Sequence, residues 1–389
     1  MKICKRLKIW FSLVRPVMKL YLKHKFNFNC VQNEIKPPFL ILSNHTTDFD
    51  PFFVAMGFNC PIYFVMSDHV ASLKTGKLIK HLVSPIPITK SGVDAETVKS
   101  IFSVIRQGGA VGLFPEGNKS FDGDMSWIKP STGKLIKKLN CPIIIYKTEG
   151  GYFSSPRWTK NKRRGKVHSY ISRIIYPNEL KKLEDNQIYS LIKTSLYVNA
   201  YDSQKKNKIK YIARNYAKNI EAFLYACPSC GSLSSVYGDG DHIKCKNCDL
   251  DAIYNEFGYI ENCEMDRLDK WDNFQKQRLI DMPFEGFDDT TPIFKDSNWQ
   301  VQQKKTKYKS KTLGKFNSII TKNELILDNK SKEIKITLKD ISGTAIEGAC
   351  GIQLQLKNGS VYRMKNRENV NGLKYVNLIS RLNNEPYKF

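Results

Sequence analysis

Apolar and polar positions alternate along this chain with two different periods. From Ile3 the apolar residues Leu7, Trp10, Val14, Val17 and Tyr21 recur in steps of three and four, which predicts one face of a helix. Lys2, Lys5, Arg6, Lys8, Arg15 and Lys19 fill much of the remainder, and Pro16 is expected to kink the helix. A basic amphipathic helix of this kind can lie in a membrane interface or pack on its own domain. Beyond Pro37 and Pro38 the period changes. The runs Phe39 to Leu42, Ile62 to Met66, Val111 to Phe114 and Cys141 to Tyr146 are short, apolar and bounded by turn formers, as buried strands are. Helical stretches separate them, at Ala95 to Gln107 and Thr132 to Leu139. Strands alternating with helices predict an α/β domain with a mostly parallel sheet and flanking helices, its functional loops at strand ends.

Farther on, residues 156–166 form a basic turn around Trp158 that carries Arg157, Lys160, Lys162, Arg163, Arg164 and Lys166, expected as a solvated loop, with anion or membrane contact as the second reading. Tyr189 to Tyr225 has helical texture, and residues 272–311 are polar and aperiodic, as a linker is. Glu333 to Leu338 and Ile352 to Leu356 alternate like half-buried strands, and Asn358-Gly359 signals a two-residue hairpin turn. Leu373, Val376, Ile379 and Leu382 are spaced for one face of a final helix. This end resembles, by pattern alone, a small β-rich module of the pleckstrin-homology or GRAM type. The expected organisation is a membrane-surface helix region in 1–36, an α/β domain in 37–225, a cysteine segment in 226–271, a linker in 272–311 and a β-rich domain in 312–389.

Charge narrows the partners. With 62 Lys and Arg against 37 Asp and Glu, the net charge of +25 favours a polyanion, either nucleic acid or an anionic bilayer. A spanning helix needs roughly 18 apolar residues in a row. Arg15, Lys19 and Lys23 interrupt the best candidate and also argue against a secretory signal, so the expected location is the cytoplasm, peripheral on the inner face of a membrane.

Two segments carry candidate chemistry. Asn44-His45-Thr46-Thr47-Asp48-Phe49-Asp50 places a histidine and a carboxylate five residues apart at a strand end. There Asp50 can fix the imidazole tautomer while the other ring nitrogen accepts a proton, a device worth about 10²–10⁴ in rate. Phe114-Pro115-Glu116-Gly117-Asn118-Lys119-Ser120 follows another apolar strand.

In order and separation the two blocks resemble the NHxxxxD and FPEGTRS signatures of the lysophosphatidic acid acyltransferase family of glycerolipid acyltransferases. Pro87-Ile88-Thr89-Lys90 matches the family's intermediate block, and Pro142 to Ile145 its late proline-apolar strand. The likeness covers roughly residues 37–177, and more diffusely 201–225. It implies transfer of a fatty acyl group from acyl-CoA or an acyl carrier protein thioester to a hydroxyl of a lysophospholipid acceptor, within phospholipid biosynthesis. By the same resemblance His45 is the general base, Asp50 its orienter, and Asn44, Lys90, Glu116, Gly117 and Lys119 bind substrate. Lys90 and Lys119 stand where the family usually has Arg, offering a point charge in place of a planar fork, and Asn118 replaces Thr.

Cys227-Pro-Ser-Cys230 and Cys245-Lys-Asn-Cys248, 14 residues apart, have the spacing of a zinc ribbon. Four thiolates close a tetrahedral shell, so the expected metal is a structural zinc, with the nearby His242 a surface residue. The other cysteines lack disulfide-framework spacing. Two further readings stay open: a zinc-ribbon nucleic-acid-binding protein, and a non-catalytic lipid-binding protein of the same fold.

Overall fold

The computed structural model describes residues 5–67, 85–88, 95–304, 310–366, 368 and 370–385. Lys90 lies outside them, as does Ile3; so does the side chain of Trp10. The chain divides into two compact units, residues 1–156 with 162–212, and residues 157–161 with 213–389.

The first unit is built on a seven-stranded sheet. Its strands are β1 (Asn29–Cys30), β2 (Phe39–Ser43), β3 (Ile62–Ser67), β4 (Ile86–Ile88), β5 (Ala110–Leu113), β6 (Ile143–Glu149) and β7 (His168–Ile175), ordered β1-β7-β6-β2-β5-β3-β4. β2 pairs in parallel with both β5 and β6, and β3 with β5 and β4; β7 runs antiparallel to β6. Every residue of β2 is buried, because a central strand covered on both faces has no polar side. Helices Ala95–Arg106, Ser131–Leu139 and Asp185–Leu196 cover one face through Ile101, Val104, Ile136 and Ile188. The expected mixed α/β architecture is present.

The first helix, α1 (Lys5–Phe26), departs from the expected single apolar face. Leu7, Leu22 and Phe26 are buried, the last two in a cluster with Phe53, Met56 and Val167. Ile9, Leu13, Val17 and Leu20 form a different stripe that stays open, Val17 and Leu20 at 70% exposure. Arg15 turns inward and donates to the Met56 carbonyl at 3.2 Å. Among the described residues no helix is long and apolar enough to cross a membrane.

The second unit opens with a four-stranded antiparallel sheet of β8 (Val236–Asp239), β9 (His242–Cys245), β10 (Asp251–Tyr254) and β11 (Ile260–Glu261). The helix Leu268–Ile280 follows, with Trp271 buried and donating to the Ala226 carbonyl at 2.8 Å. A second seven-stranded sheet then holds β12 (Phe294–Lys304), β13 (Ser310–Ile320), β14 (Glu324–Asp328), β15 (Glu333–Thr337), β16 (Ile341–Glu347), β17 (Gly351–Leu356) and β18 (Val361–Lys365), ordered β15-β14-β13-β12-β18-β17-β16.

Four expectations need correction here. Residues 272–311 are no linker: they carry most of the helix Leu268–Ile280 and all of β12, whose polar letters hide buried Trp299 and Val301 at alternate positions. The β-rich sheet therefore begins before residue 312. The turn at Asn358-Gly359 closes a longer loop, since Leu356 pairs with Ser360 and only Gly359 has a left-handed φ, +82°. The basic turn is solvated only in part: Lys160, Lys162, Arg164 and Lys166 are exposed, but Arg157, Trp158 and Arg163 are buried. Arg157 donates to the carbonyls of Gly348 and Ile346 at strand ends, and Trp158 is buried beside Tyr254. Finally, the helix Gly372–Leu382 is buried on all sides from Gly372 to Ser380, where Lys374 pairs with Asp296 at 2.8 Å.

Candidate active site

The two motif segments meet because their strands are neighbours. Leu42 of β2 pairs with Leu113 of β5 in parallel register, so His45 and Glu116 each lie three residues beyond the same rung. Both loops leave the same edge of the sheet, as open α/β sites do. The Glu116 carboxylate accepts the N–H of His45 at 2.8 Å and the N–H of Ser126 at 2.8 Å. The N–H of Ser120 donates to the His45 carbonyl at 2.9 Å. The histidine backbone is thus clamped on both sides by the β5 loop.

The His45 side chain is fixed equally well. Its Nδ1 lies 2.8 Å from Asp50 Oδ2, and its ring stacks on Phe114 at 4.5 Å between centroids. Asp50 is fully buried at the start of α2 (Asp50–Met56), and its Oδ2 also accepts the N–H groups of Thr46 at 2.6 Å and Thr47 at 2.9 Å. With Oδ2 acting as the acceptor, the imidazole takes the tautomer with the proton on Nδ1 and the lone pair on Nε2. Gly151, just beyond β6, makes the packing possible. A methyl group there would lie 2.6 Å from Thr46 Oγ1 and 3.2 Å from Thr47 Cγ2.

Three other expected site residues take narrower parts. The amide of Asn44, expected to bind substrate, is buried and exchanges two 2.9 Å hydrogen bonds with the backbone of Thr148, locking β2 to β6. Burial pushes the Glu116 carboxyl up to about 8, against the pull of the Ser126 and His45 N–H groups. Buried under two backbone donors, it holds the loop. Gly117 takes a left-handed φ of +70° and donates its N–H to the Phe114 carbonyl at 3.0 Å.

Lys119 reaches across to the other loop and pairs with Asp48 at 2.7 Å. The ammonium of Lys162 lies 5.9 Å from the Phe49 ring centroid and donates to Ser155 Oγ. The sequence names Lys162 only as one member of a basic turn, because nothing in a run of basic residues marks the one whose ammonium stands over Phe49.

Residues 24–145 match the family model described as Acyltransferase. The chain is 24% identical over 184 residues to a probable 1-acyl-sn-glycerol-3-phosphate acyltransferase of Mycoplasma genitalium, an alignment covering 44% of this chain and 68% of that one. It is 21% identical over 202 residues to a 1-acyl-sn-glycerol-3-phosphate acyltransferase of Borreliella burgdorferi, covering 50% and 76%. Over the matched residues the chain is similar to the 1-acyl-sn-glycerol-3-phosphate acyltransferases. It is an acyltransferase. Among solved structures, the 1-acyl-sn-glycerophosphate acyltransferase PlsC from Thermotoga maritima aligns with a TM-score of 0.39 and 15% identity, over 51% of this chain and 94% of that one.

Unlike the acyltransferase motifs, the cysteine pairs lie wholly in the second unit. The sulfur atoms of Cys227, Cys230, Cys245 and Cys248 all lie within 4.8 Å of one another, with Cys227–Cys248 at 3.6 Å and Cys230–Cys245 at 3.8 Å. Sulfurs about 2.3 Å from a common tetrahedral centre would stand about 3.8 Å apart, so the donor set fits a zinc ion. Gly231, at φ +69°, closes the first turn with its N–H on the Cys227 carbonyl at 2.9 Å. His242 pairs with Asp251 at 2.5 Å and is not among the converging ligands.

Proposed function

We propose that this acyltransferase moves a fatty acyl group from a thioester of coenzyme A or an acyl carrier protein to a free hydroxyl of a lysophospholipid acceptor such as lysophosphatidic acid, as a step of phospholipid biosynthesis. The observation that carries the reading is the His45–Asp50 pair at 2.8 Å, with the His45 backbone clamped by Glu116 and Ser120. With Nδ1–H held by Asp50, Nε2 of His45 takes the proton of the acceptor hydroxyl. The oxygen attacks the thioester carbonyl, and the tetrahedral oxyanion re-forms the carbonyl by expelling thiolate, which receives the proton back from His45. Lys119 binds the acceptor's phosphate, and Lys90 joins it by the family resemblance.

Two further parts of the reading rest on the flanking regions. The open stripe Ile9, Leu13, Val17 and Leu20, with Lys19, Lys23 and Lys25 exposed beside it, suits an anionic membrane surface on the cytoplasmic face. The four cysteines hold a structural zinc, since four protein ligands leave no open coordination position. A nucleic-acid-binding role for the cysteine segment would leave the His45 site without a task. Incubation of purified protein with acyl-CoA or acyl carrier protein thioesters and a panel of lysophospholipids, read by mass spectrometry, tests the assignment. Diacyl product that vanishes in His45→Ala is expected. Equal product from that variant would overturn it.

A further inference from the structure

We propose that Lys162 is a second cation of the acceptor's phosphate subsite, and that the Asp48 carboxylate occupies this subsite until a phosphate monoester displaces it. The inference deepens the acyl-transfer reading and rests on it for the identity of the acceptor.

Asp48 is an unusual tenant of its position. It belongs to the loop that carries His45 and Asp50, yet its side chain is 75% exposed while that of its partner Lys119 is only 15% exposed. A mostly enclosed lysine side chain therefore meets an exposed surface carboxylate. Lys119 contacts the Asp48 carboxylate directly at 2.7 Å, and the charges of His45 and Lys162 act on it from nearby. Lys162 feels Asp48, Lys119 and Lys25 in turn. Its own hydrogen bond goes to the neutral Ser155 hydroxyl, and its ammonium stands over Phe49, the residue directly after Asp48.

Two lysines thus act on one exposed carboxylate, and Lys25 lies near the second of them. Asp50 does not redress the balance, because its charge is turned inward onto His45 and two backbone N–H groups. The surplus matches a phosphate monoester, which carries about −1.5 to −2 at pH 7 and three acceptor oxygens. A neutral hydroxyl acceptor or a phosphodiester with one negative charge fits it less well. Asp48, bearing a single charge, can satisfy Lys119 alone; a dianion can bridge both lysines and bring its glycerol hydroxyl toward Nε2 of His45.

The test is calorimetric and kinetic, on the full chain. Glycerol 3-phosphate is titrated into wild type, Lys162→Met, Lys162→Arg and Asp48→Asn, and KM and kcat are measured with lysophosphatidic acid and with monoacylglycerol. We expect Lys162→Met to weaken glycerol 3-phosphate at least tenfold and to raise KM for lysophosphatidic acid by a similar factor. Its kcat should stay within about threefold, its kinetics on monoacylglycerol should not change, and Lys162→Arg should recover most of the loss. Asp48→Asn, which removes the competing anion, should tighten glycerol 3-phosphate. Equal binding by wild type and Lys162→Met, or equal losses on both acceptors, would overturn the subsite. Binding that follows these expectations in a protein that transfers no acyl group would leave the subsite standing and remove the acyl-transfer reading instead.

Discussion

Glu116 accepts the backbone N–H of His45 at 2.8 Å, although 71 residues separate them. The contact joins the two sequence blocks into one site, and it gives the carboxyl a structural duty measurable apart from catalysis. Its folded-state acidity, pushed up to about 8 by burial, lies above the ordinary carboxyl value of 4.5. Between those values the native state binds more protons than the unfolded chain, so the Glu116 contribution is fully present below about pH 4.5 and lost as pH rises through about 8. The slope reaches at most about 1.4 kcal/mol per pH unit. Urea unfolding of wild type and Glu116→Gln at pH 5, 6.5 and 8 checks this, the wild type falling relative to the variant as pH rises. A difference independent of pH would show that the carboxyl is ionised throughout.

His45→Ala should abolish acyl transfer, by about 10²–10⁴ for loss of a positioned base, and leave the unfolding transition close to wild type. Asp50→Asn should lower kcat too and also destabilise, because Asp50 Oδ2 serves two backbone N–H groups as well as the imidazole. Turnover near wild type in folded His45→Ala would remove the histidine from the chemistry.

Gly151→Ala should cut turnover at least tenfold. The added methyl would press on Thr46 Oγ1 at 2.6 Å and push the loop that donates to Asp50, at about 1–3 kcal/mol for a local overpacking. Thermal unfolding and initial rates on one preparation decide it: unchanged values for both would mean the loop yields freely.

Membrane binding, if it runs through α1, should depend on its open stripe. Deleting the helix is a poor test, since Leu22 and Phe26 would leave a hole beside Phe53. Leu13→Asp with Val17→Asp and Leu20→Asp changes exposed positions only. Sedimentation with anionic vesicles should fall markedly while turnover on a detergent-solubilised acceptor persists, and raised salt should mimic part of the loss. Sedimentation equal to wild type would assign the stripe to another partner.

One zinc per chain is expected by elemental analysis, lost in Cys227→Ser/Cys245→Ser. Thiolate sites of this type contribute roughly 10–16 kcal/mol of apparent binding energy, much of it folding energy. Protease should then cut the segment around Cys227 and Cys248 in the variant. Retained zinc would refute the ligand set, and a folded but inactive variant rescued by other divalent metals would refute a structural role.

The sequence by itself determined the local pieces. Apolar runs placed β2, β3, β5 and β6 to within three residues, and the strand–helix alternation gave the mixed α/β class. The spacing of His45 and Asp50 fixed their pairing, because five residues around the start of one helix leave a histidine and an aspartate little else to meet. The C-x-x-C turns are local in the same way, and Gly231 shows the backbone form they need.

What pattern could not give was anything that depends on which strands become neighbours. The β2–β5 register brings Glu116 to the His45 backbone, and the β2–β6 pairing spends Asn44 on Thr148. Both are consequences of sheet order, to which an alternating pattern is blind. Trp158, Arg157 and β12 were misread for a related reason. Polar composition reports how often a residue type meets water, whereas a guanidinium aimed at two carbonyls or a tryptophan beside Tyr254 is buried by the partners that folding supplies. The two apolar faces of α1 were likewise merged, since a period of 3.6 marks a stripe without naming what covers it, and only the packing of Leu22 and Phe26 separates the core side from the open one.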